Sequence, residues 1–166
     1  MHAPSLLMSL SIATALSLSF VACGSDGGGS GDPMVGTWTL NVEKSKYVPG
    51  PGPKSQTVVI SGTDQARKLV VDVTPDIGPA MHWEVAGAAN QELKVSGVNP
   101  NADTYQFKRV NRTTIEAQYK KGGRPTITQT AVVSGDGNTL TVTGKGSNVA
   151  GQAVNTTAVF ERRPGG

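Results

Sequence analysis

A regular alternation of strand-like runs and turn residues, from Pro33 to the end of the chain, constrains the fold most. Short runs rich in Val, Thr, Ile and aromatic residues recur, and Gly, Asn, Asp or Pro separate them. No window shows the i, i+3, i+4 apolar spacing of an amphipathic helix. We therefore predict an all-β domain over residues 34–166, with candidate strands at 35–42, 56–61, 68–74, 80–86, 92–96, 104–110, 114–120, 126–133, 139–145 and 153–162.

The turns between these runs indicate how the strands pair. The sequences "PNAD", "VNRT", "KKGGR" and "SGDGN" supply residues that tolerate the positive φ of tight turns, so consecutive strands should form hairpins. Closing such a meander on itself removes the exposed edges that a two-sheet sandwich keeps. The prediction is a single up-and-down antiparallel β-barrel of about 8–10 strands. In the connection 43–54, "EKSKY" is expected to form one helical turn and "PGPGP" a crossover loop, without a helical lid.

Strand parity predicts which side chains face the lumen, because neighbouring residues on a strand point to opposite faces. On the first strand Gly36, Trp38, Leu40 and Val42 should face inward. The expected inward set includes aromatic and polar residues that are candidate ligand contacts: Trp83, Tyr105, Phe107, Arg109, Tyr119 and Gln129. A mostly apolar pocket with a few polar groups is the usual small-ligand site. Alternatively, the long polar side chains cap the barrel ends with their tips in water.

The N-terminus predicts export. Residues 1–22 contain no Asp, Glu, Lys or Arg, carry a long apolar run and end on small residues, as in a signal peptide. "FVAC" resembles the lipobox of bacterial lipoproteins, which implies lipidation of Cys23, the only cysteine, and a Gly/Ser-rich tether over 23–33. The expected partner is then a lipid bilayer, with the outer membrane or cell surface of a bacterial envelope as the expected location. Plain secretion with cleavage near Ala22 is the alternative.

The first strand also suggests a family. "GTWTLNVEKSKY" contains the G-x-W that opens the barrel of lipocalins and fatty-acid-binding proteins, and the chain resembles that superfamily. The resemblance implies barrel closure by Gly36 and Trp38, with an Arg of the last strand across the indole, which parity assigns to Arg162. "NPNADTYQFKRV" and "GQAVNTTAVFE" are similar to uncharacterised exported bacterial proteins with lipocalin-like barrels. The chain lacks the helical lid of fatty-acid-binding proteins and their carboxylate-binding R-x-Y.

Composition and motifs narrow the function classes. The net charge of +3 is scattered without a basic block, so no nucleic-acid partner is expected. No nucleophile motif or paired carboxylates appear, and His82 on an outward parity has no second ligand for a metal. We predict a monomeric, non-catalytic protein without cofactor or metal that binds a small, partly hydrophobic molecule. The alternative is a structural or interaction module of the envelope whose lumen is filled by side chains.

Overall fold

The computed structural model of the protein describes residues 31–164, so the predicted signal sequence and Cys23 lie outside the described residues. Every regular element in this range is a β-strand. The strands are β1 Gly36–Lys46, β2 Ser55–Thr63, β3 Ala66–Thr74, β4 Met81–Gly87, β5 Leu93–Lys94, β6 Ser96–Gly97, β7 Thr104–Asn111, β8 Thr114–Lys121, β9 Arg124–Val133, β10 Thr139–Ser147 and β11 Ala153–Arg162. Within residues 31–164 no helix is long and apolar enough to cross a membrane.

The strands form one antiparallel sheet that curls into a nearly closed barrel. Its order is β5-β7-β8-β9-β10-β11-β1-β2-β3-β4-β6, so sequence neighbours pair from β1 to β4 and from β7 to β11, and β11 returns to β1. The predicted all-β, up-and-down barrel is confirmed. The strand count agrees as well, because β5 and β6 together replace the single predicted strand at 92–96.

The segment 93–97 closes the barrel. β6 pairs with β4 through Trp83↔Gly97 and Glu84↔Ser96, whereas β5 pairs with β7 through Leu93↔Tyr105 and Lys94↔Thr104. Between them the Val95 amide donates to the Asp103 carbonyl at 2.9 Å. A single kinked strand therefore bridges the two edges of the meander.

Because consecutive strands run in opposite directions, the loops between them lie alternately at the two ends of the barrel. Both termini of the described chain and the connections 64–65, 88–92, 112–113 and 134–138 lie at one end, here called the Trp38 end. The connections 47–54, 75–80, 98–103, 122–123 and 148–152 lie at the other, the Tyr47 end. A chain segment that precedes residue 31 therefore joins the barrel at the Trp38 end.

The inward parity is confirmed over most strands, with a correction in β1. Trp38 and Leu40 are buried, but Val42 is 47% exposed. The pairing of β1 with β11 shifts register between Asn41 and Lys46, and the Ser45 hydroxyl donates to the Asn41 carbonyl at 2.6 Å. The alternation therefore breaks after Asn41, as expected at a bulge.

The expected helical turn at "EKSKY" is wrong. Residues 43–46 continue β1, and Lys46 pairs with Thr157 of β11. β11 extends far enough toward the Tyr47 end to offer these residues a strand partner. Long-range pairing therefore overrides the local preference of this charged segment.

Candidate functional site

The lumen contains a cavity of about 230 Å³. One wall is aromatic, because β4, β7 and β8 place Trp83, Tyr105, Phe107 and Tyr119 side by side. The ring centroids of Tyr105 and Tyr119 are 5.1 Å apart and those of Trp83 and Tyr119 are 6.0 Å apart, both edge to face. Such pairs contribute beyond their buried area and hold the rings in place. The cavity therefore has a preformed aromatic wall.

The rest of the lining is mostly aliphatic, with a group of polar side chains near the Tyr47 end. Val58, Ile60, Val71, Leu140 and Val142 line the cavity from β2, β3 and β10. Near the Tyr47 end the lining becomes polar, with Gln56, Asn99, Asn101 and Thr156. A mostly apolar pocket with a few polar groups is characteristic of small-molecule sites.

The structure places the six predicted lumen residues in two groups. Five of them line the cavity: Trp83, Tyr105, Phe107, Tyr119 and Gln129. Arg109 does not line it, because its guanidinium turns to an ion cluster at the Trp38 end. There it also donates through Nη1 to the Arg112 carbonyl at 3.0 Å.

The ion cluster consists of Asp32, Asp64, Arg67 and Arg109. Arg109 Nε lies 2.8 Å from Asp64 Oδ2, and Arg67 Nη2 lies 2.7 Å from Asp64 Oδ1. Both arginines also donate through Nη2 to Asp32 Oδ2. Asp32 belongs to the predicted tether, yet its carboxylate is held by the barrel. Two positive and two negative charges balance in this cluster.

The electrostatics of the cluster keep both carboxylates ionised. The hydrogen bond from Arg109 lowers the pKa of Asp64 to about 2, with Arg67 adding to the effect against the opposing influence of burial. Burial acts to raise the pKa of Asp32, but hydrogen bonds from Arg67, the Met34 amide and Arg109 together lower it. The carboxylates of Asp64 and Asp32 in turn raise the pKa of Arg109, and the hydrogen bond to Asp64 has the largest effect.

Arg67 is the functional candidate that sequence reasoning missed. Its side chain is only 6% exposed and lines the cavity, with its guanidinium carbon 5.8 Å from the Phe107 ring centroid. Nη2 is bonded to the two carboxylates, but Nε and Nη1 are buried without a hydrogen-bond partner among residues 31–164. The predicted third strand begins at residue 68. The parity of Leu69 and Val71, extended back by one pair, would have placed Arg67 inside.

Three tyrosine hydroxyls add polar atoms to this apolar space. Burial raises the pKa of both Tyr105 and Tyr119. Burial also raises the pKa of Tyr47 to about 12, and its buried hydroxyl has no hydrogen-bond partner in the described chain. Tyr47 lines the cavity at the loop that carries "PGPGP", and a Cβ on Gly52 would lie 2.4 Å from its ring. This loop therefore packs directly on Tyr47.

The Trp38 end is sealed separately. The Trp38 side chain is fully buried, its indole nitrogen donates to the Met34 carbonyl at 3.0 Å, and the Arg162 guanidinium carbon lies 4.2 Å from its ring centroid. The resemblance to lipocalin-like barrels implied an arginine across this indole, and strand parity chose Arg162 for it. Gly36 leaves room for it, because a Cβ there would lie 2.4 Å from Arg162 Nη1.

His82 lies on the surface, away from the cavity, and pairs with a carboxylate. His82 is exposed on β4, and its Nδ1 lies 2.7 Å from Asp72 Oδ1. Among the described residues no three His, Cys, Asp or Glu side chains come together as a metal site.

No family model matches the chain, and neither does any curated protein sequence. Function is therefore inferred from the geometry of the barrel.

Proposed function

We propose that this protein is a membrane-anchored envelope lipoprotein whose barrel binds a small, partly hydrophobic molecule. The observation that carries the proposal is the cavity of about 230 Å³ between the aromatic and aliphatic walls. An apolar cavity of about 150 Å³ takes up benzene, so by proportion this one suits a ligand of roughly nine non-hydrogen atoms. A long-chain fatty acid is too large for it.

The proposed anchor rests on the sequence. An acylated Cys23 would attach the chain to a bilayer, and stable attachment needs more than one acyl chain. Eight residues, 24–31, would then separate the anchor at Cys23 from Asp32 of the ion cluster. The barrel would be held close to a bilayer surface.

The alternative of a filled lumen makes an opposite prediction. A structural or interaction module would bind no small molecule and would act through its outer surface. The cavity size and its polar groups support the ligand proposal instead, since a barrel filled by side chains leaves no space of this volume.

Ligand binding is tested with benzene and with molecules extracted from the native protein. Wild-type protein should bind benzene in calorimetry, and solvent extraction of protein purified from its own envelope should release a molecule of similar size. Ala117→Leu adds a branched side chain to the cavity lining and should weaken benzene binding at least tenfold. Ala86→Leu, the same change at an exposed position of β4, should leave it unchanged.

A barrel that binds no benzene and releases no molecule contradicts the ligand proposal and supports the filled lumen. The anchor is tested independently, because Cys23→Ser should move the protein from the membrane fraction to the soluble fraction. Membrane association that persists in Cys23→Ser would contradict the anchor without affecting the ligand proposal.

A further inference from the structure

The unpartnered donors of Arg67 define the chemistry of one end of the cavity. A buried donor without an acceptor loses its hydration and gains nothing in return, so such groups mark sites where an acceptor is missing. Nε and Nη1 of Arg67 are two such nitrogens on one planar group, and the residue lines the cavity. A ligand oxygen at either nitrogen would accept a charge-assisted hydrogen bond.

The charge of the cluster decides which oxygen fits. Arg67 and Arg109 are balanced by Asp32 and Asp64, which they contact directly. A carboxylate or phosphate would add a negative charge that no remaining cation compensates, in an enclosure where unpaired charge is costly. A neutral carbonyl or similar oxygen accepts such a hydrogen bond without adding charge.

The surroundings of Arg67 favour an aromatic or compact apolar body behind that oxygen. The Phe107 ring lies under the guanidinium, and Tyr105 continues the wall with its centroid 6.2 Å from that of Phe107. A flat molecule can lie along this wall while its oxygen reaches Arg67.

We infer that the cavity selects a neutral, mostly apolar molecule of roughly nine non-hydrogen atoms whose single acceptor oxygen binds one of the two unpartnered nitrogens of Arg67, Nε or Nη1. Arg67 is the specificity-determining residue of this site, and Asp32 and Asp64 are positioning residues that hold its Nη2. The inference rests on the proposed function and names the class of molecule that the barrel takes.

Three probes of equal heavy-atom number separate the outcomes: acetophenone with a neutral carbonyl, cumene with no acceptor, and benzoate with a carboxylate. Calorimetric titration of the full chain should show acetophenone binding about tenfold or more tighter than cumene, because a hydrogen bond to a charged donor contributes on that scale. Benzoate should bind more weakly than acetophenone.

Arg67→Lys keeps the positive charge beside Asp32 and Asp64 but removes Nε and the planar fork. It should retain cumene binding and lose the preference for acetophenone. Arg109→Lys is the matched control: it changes the same residue type beside the same carboxylates, at a position outside the cavity lining, and should keep the preference.

A measurement on the wild-type protein does not depend on how the variants fold. In side-chain ¹⁵N spectra, acetophenone should shift a guanidinium N–H resonance of Arg67, from Nε or Nη1, and slow its exchange with water, whereas cumene should not slow that exchange. Equal affinities for acetophenone and cumene, or a preference that survives in a folded Arg67→Lys, would overturn the inference and leave the proposed function standing. Tightest binding of benzoate would show that the site takes anions. If no probe binds, the proposed function itself fails.

Discussion

The guanidinium carbon of Arg162 lies 4.2 Å from the centroid of the Trp38 ring, and its nitrogens donate to three backbone carbonyls. These acceptors are Pro33, Val35 and Gly137, at distances between 2.6 and 2.7 Å. One side chain thus connects the first strand, the last strand, the N-terminal segment and the turn 134–138. Stability should depend strongly on it.

Replacing this arginine tests that dependence. Arg162→Ala removes the cation–π contact and all three hydrogen bonds, and should lower the free energy of unfolding by about 2–4 kcal/mol. Urea denaturation measures the change. Arg163→Ala, at the exposed neighbouring position, should stay within about 0.5 kcal/mol of wild type. Similar losses in both variants would mean that the contact with Trp38 contributes little.

Gly36 and Arg162 should be energetically coupled. Gly36 has a φ of +147° and a Cβ there would come within 2.4 Å of Arg162 Nη1, so Gly36→Ala should cost about 1–3 kcal/mol. In Arg162→Ala the obstructing atom is absent, and the added cost of Gly36→Ala should be smaller. Gly135→Ala, where no heavy atom lies within 4 Å of the new Cβ, serves as the control. Strict additivity in the double-mutant cycle would refute the coupling.

The ion cluster should make stability depend on acid pH. The folded-state pKa of Asp64 is about 2, below its usual value of 3.8, so its contribution is present above pH 4 and is lost as the pH falls toward 2. Asp64→Asn should therefore destabilise most at neutral pH, and its difference from wild type should shrink between pH 4 and 2. Urea denaturation over this range measures it. Asp76→Asn, which affects an exposed ion pair with Lys54, should produce only a small difference at every pH.

Tyr47 offers a test of an unpartnered hydroxyl. Because its buried oxygen has no partner in the described chain, Tyr47→Phe should leave stability at pH 7 unchanged or raise it by up to about 1 kcal/mol. Burial disfavours the ionised phenolate and raises the pKa of Tyr47 to about 12, so the fold should lose stability as the pH rises from 10 to 12. Tyr47→Phe should weaken this alkaline loss. A clear destabilisation at pH 7 would instead reveal a hydrogen bond to the hydroxyl.

Local pattern was enough to predict the strands and most of the cavity wall. The alternation in β4 and β8 places Trp83 and Tyr119 inside because one face of each strand is apolar. The resemblance to lipocalin-like barrels implied an arginine of the last strand across the Trp38 indole, and parity chose Arg162 for that position. These features depend on residues near one another in sequence or on closure alone.

The ion cluster could not be predicted in this way. Asp32 and Arg109 lie 77 residues apart, and their contact depends on where the N-terminal segment crosses the barrel end. Arg109 has the inward parity expected of a lumen residue, but its position near the end of β7 takes it to the carboxylates. Parity determines the face of a sheet and leaves the depth along the barrel open. The bulge after Asn41, which exposes Val42, is likewise invisible to an alternating pattern.

The barrel wall has much less strand pairing at segment 93–97 than elsewhere. β10 and β11 pair along nine residues, whereas β4 meets β6 and β5 meets β7 through only two residue pairs each. Strands separate locally most often where the fewest hydrogen bonds join them. The paired residues at this segment include Trp83 and Tyr105, which belong to the aromatic wall. A fluctuation there would uncover the side of the cavity, so exchange of the proposed ligand need not pass through the loops at either end.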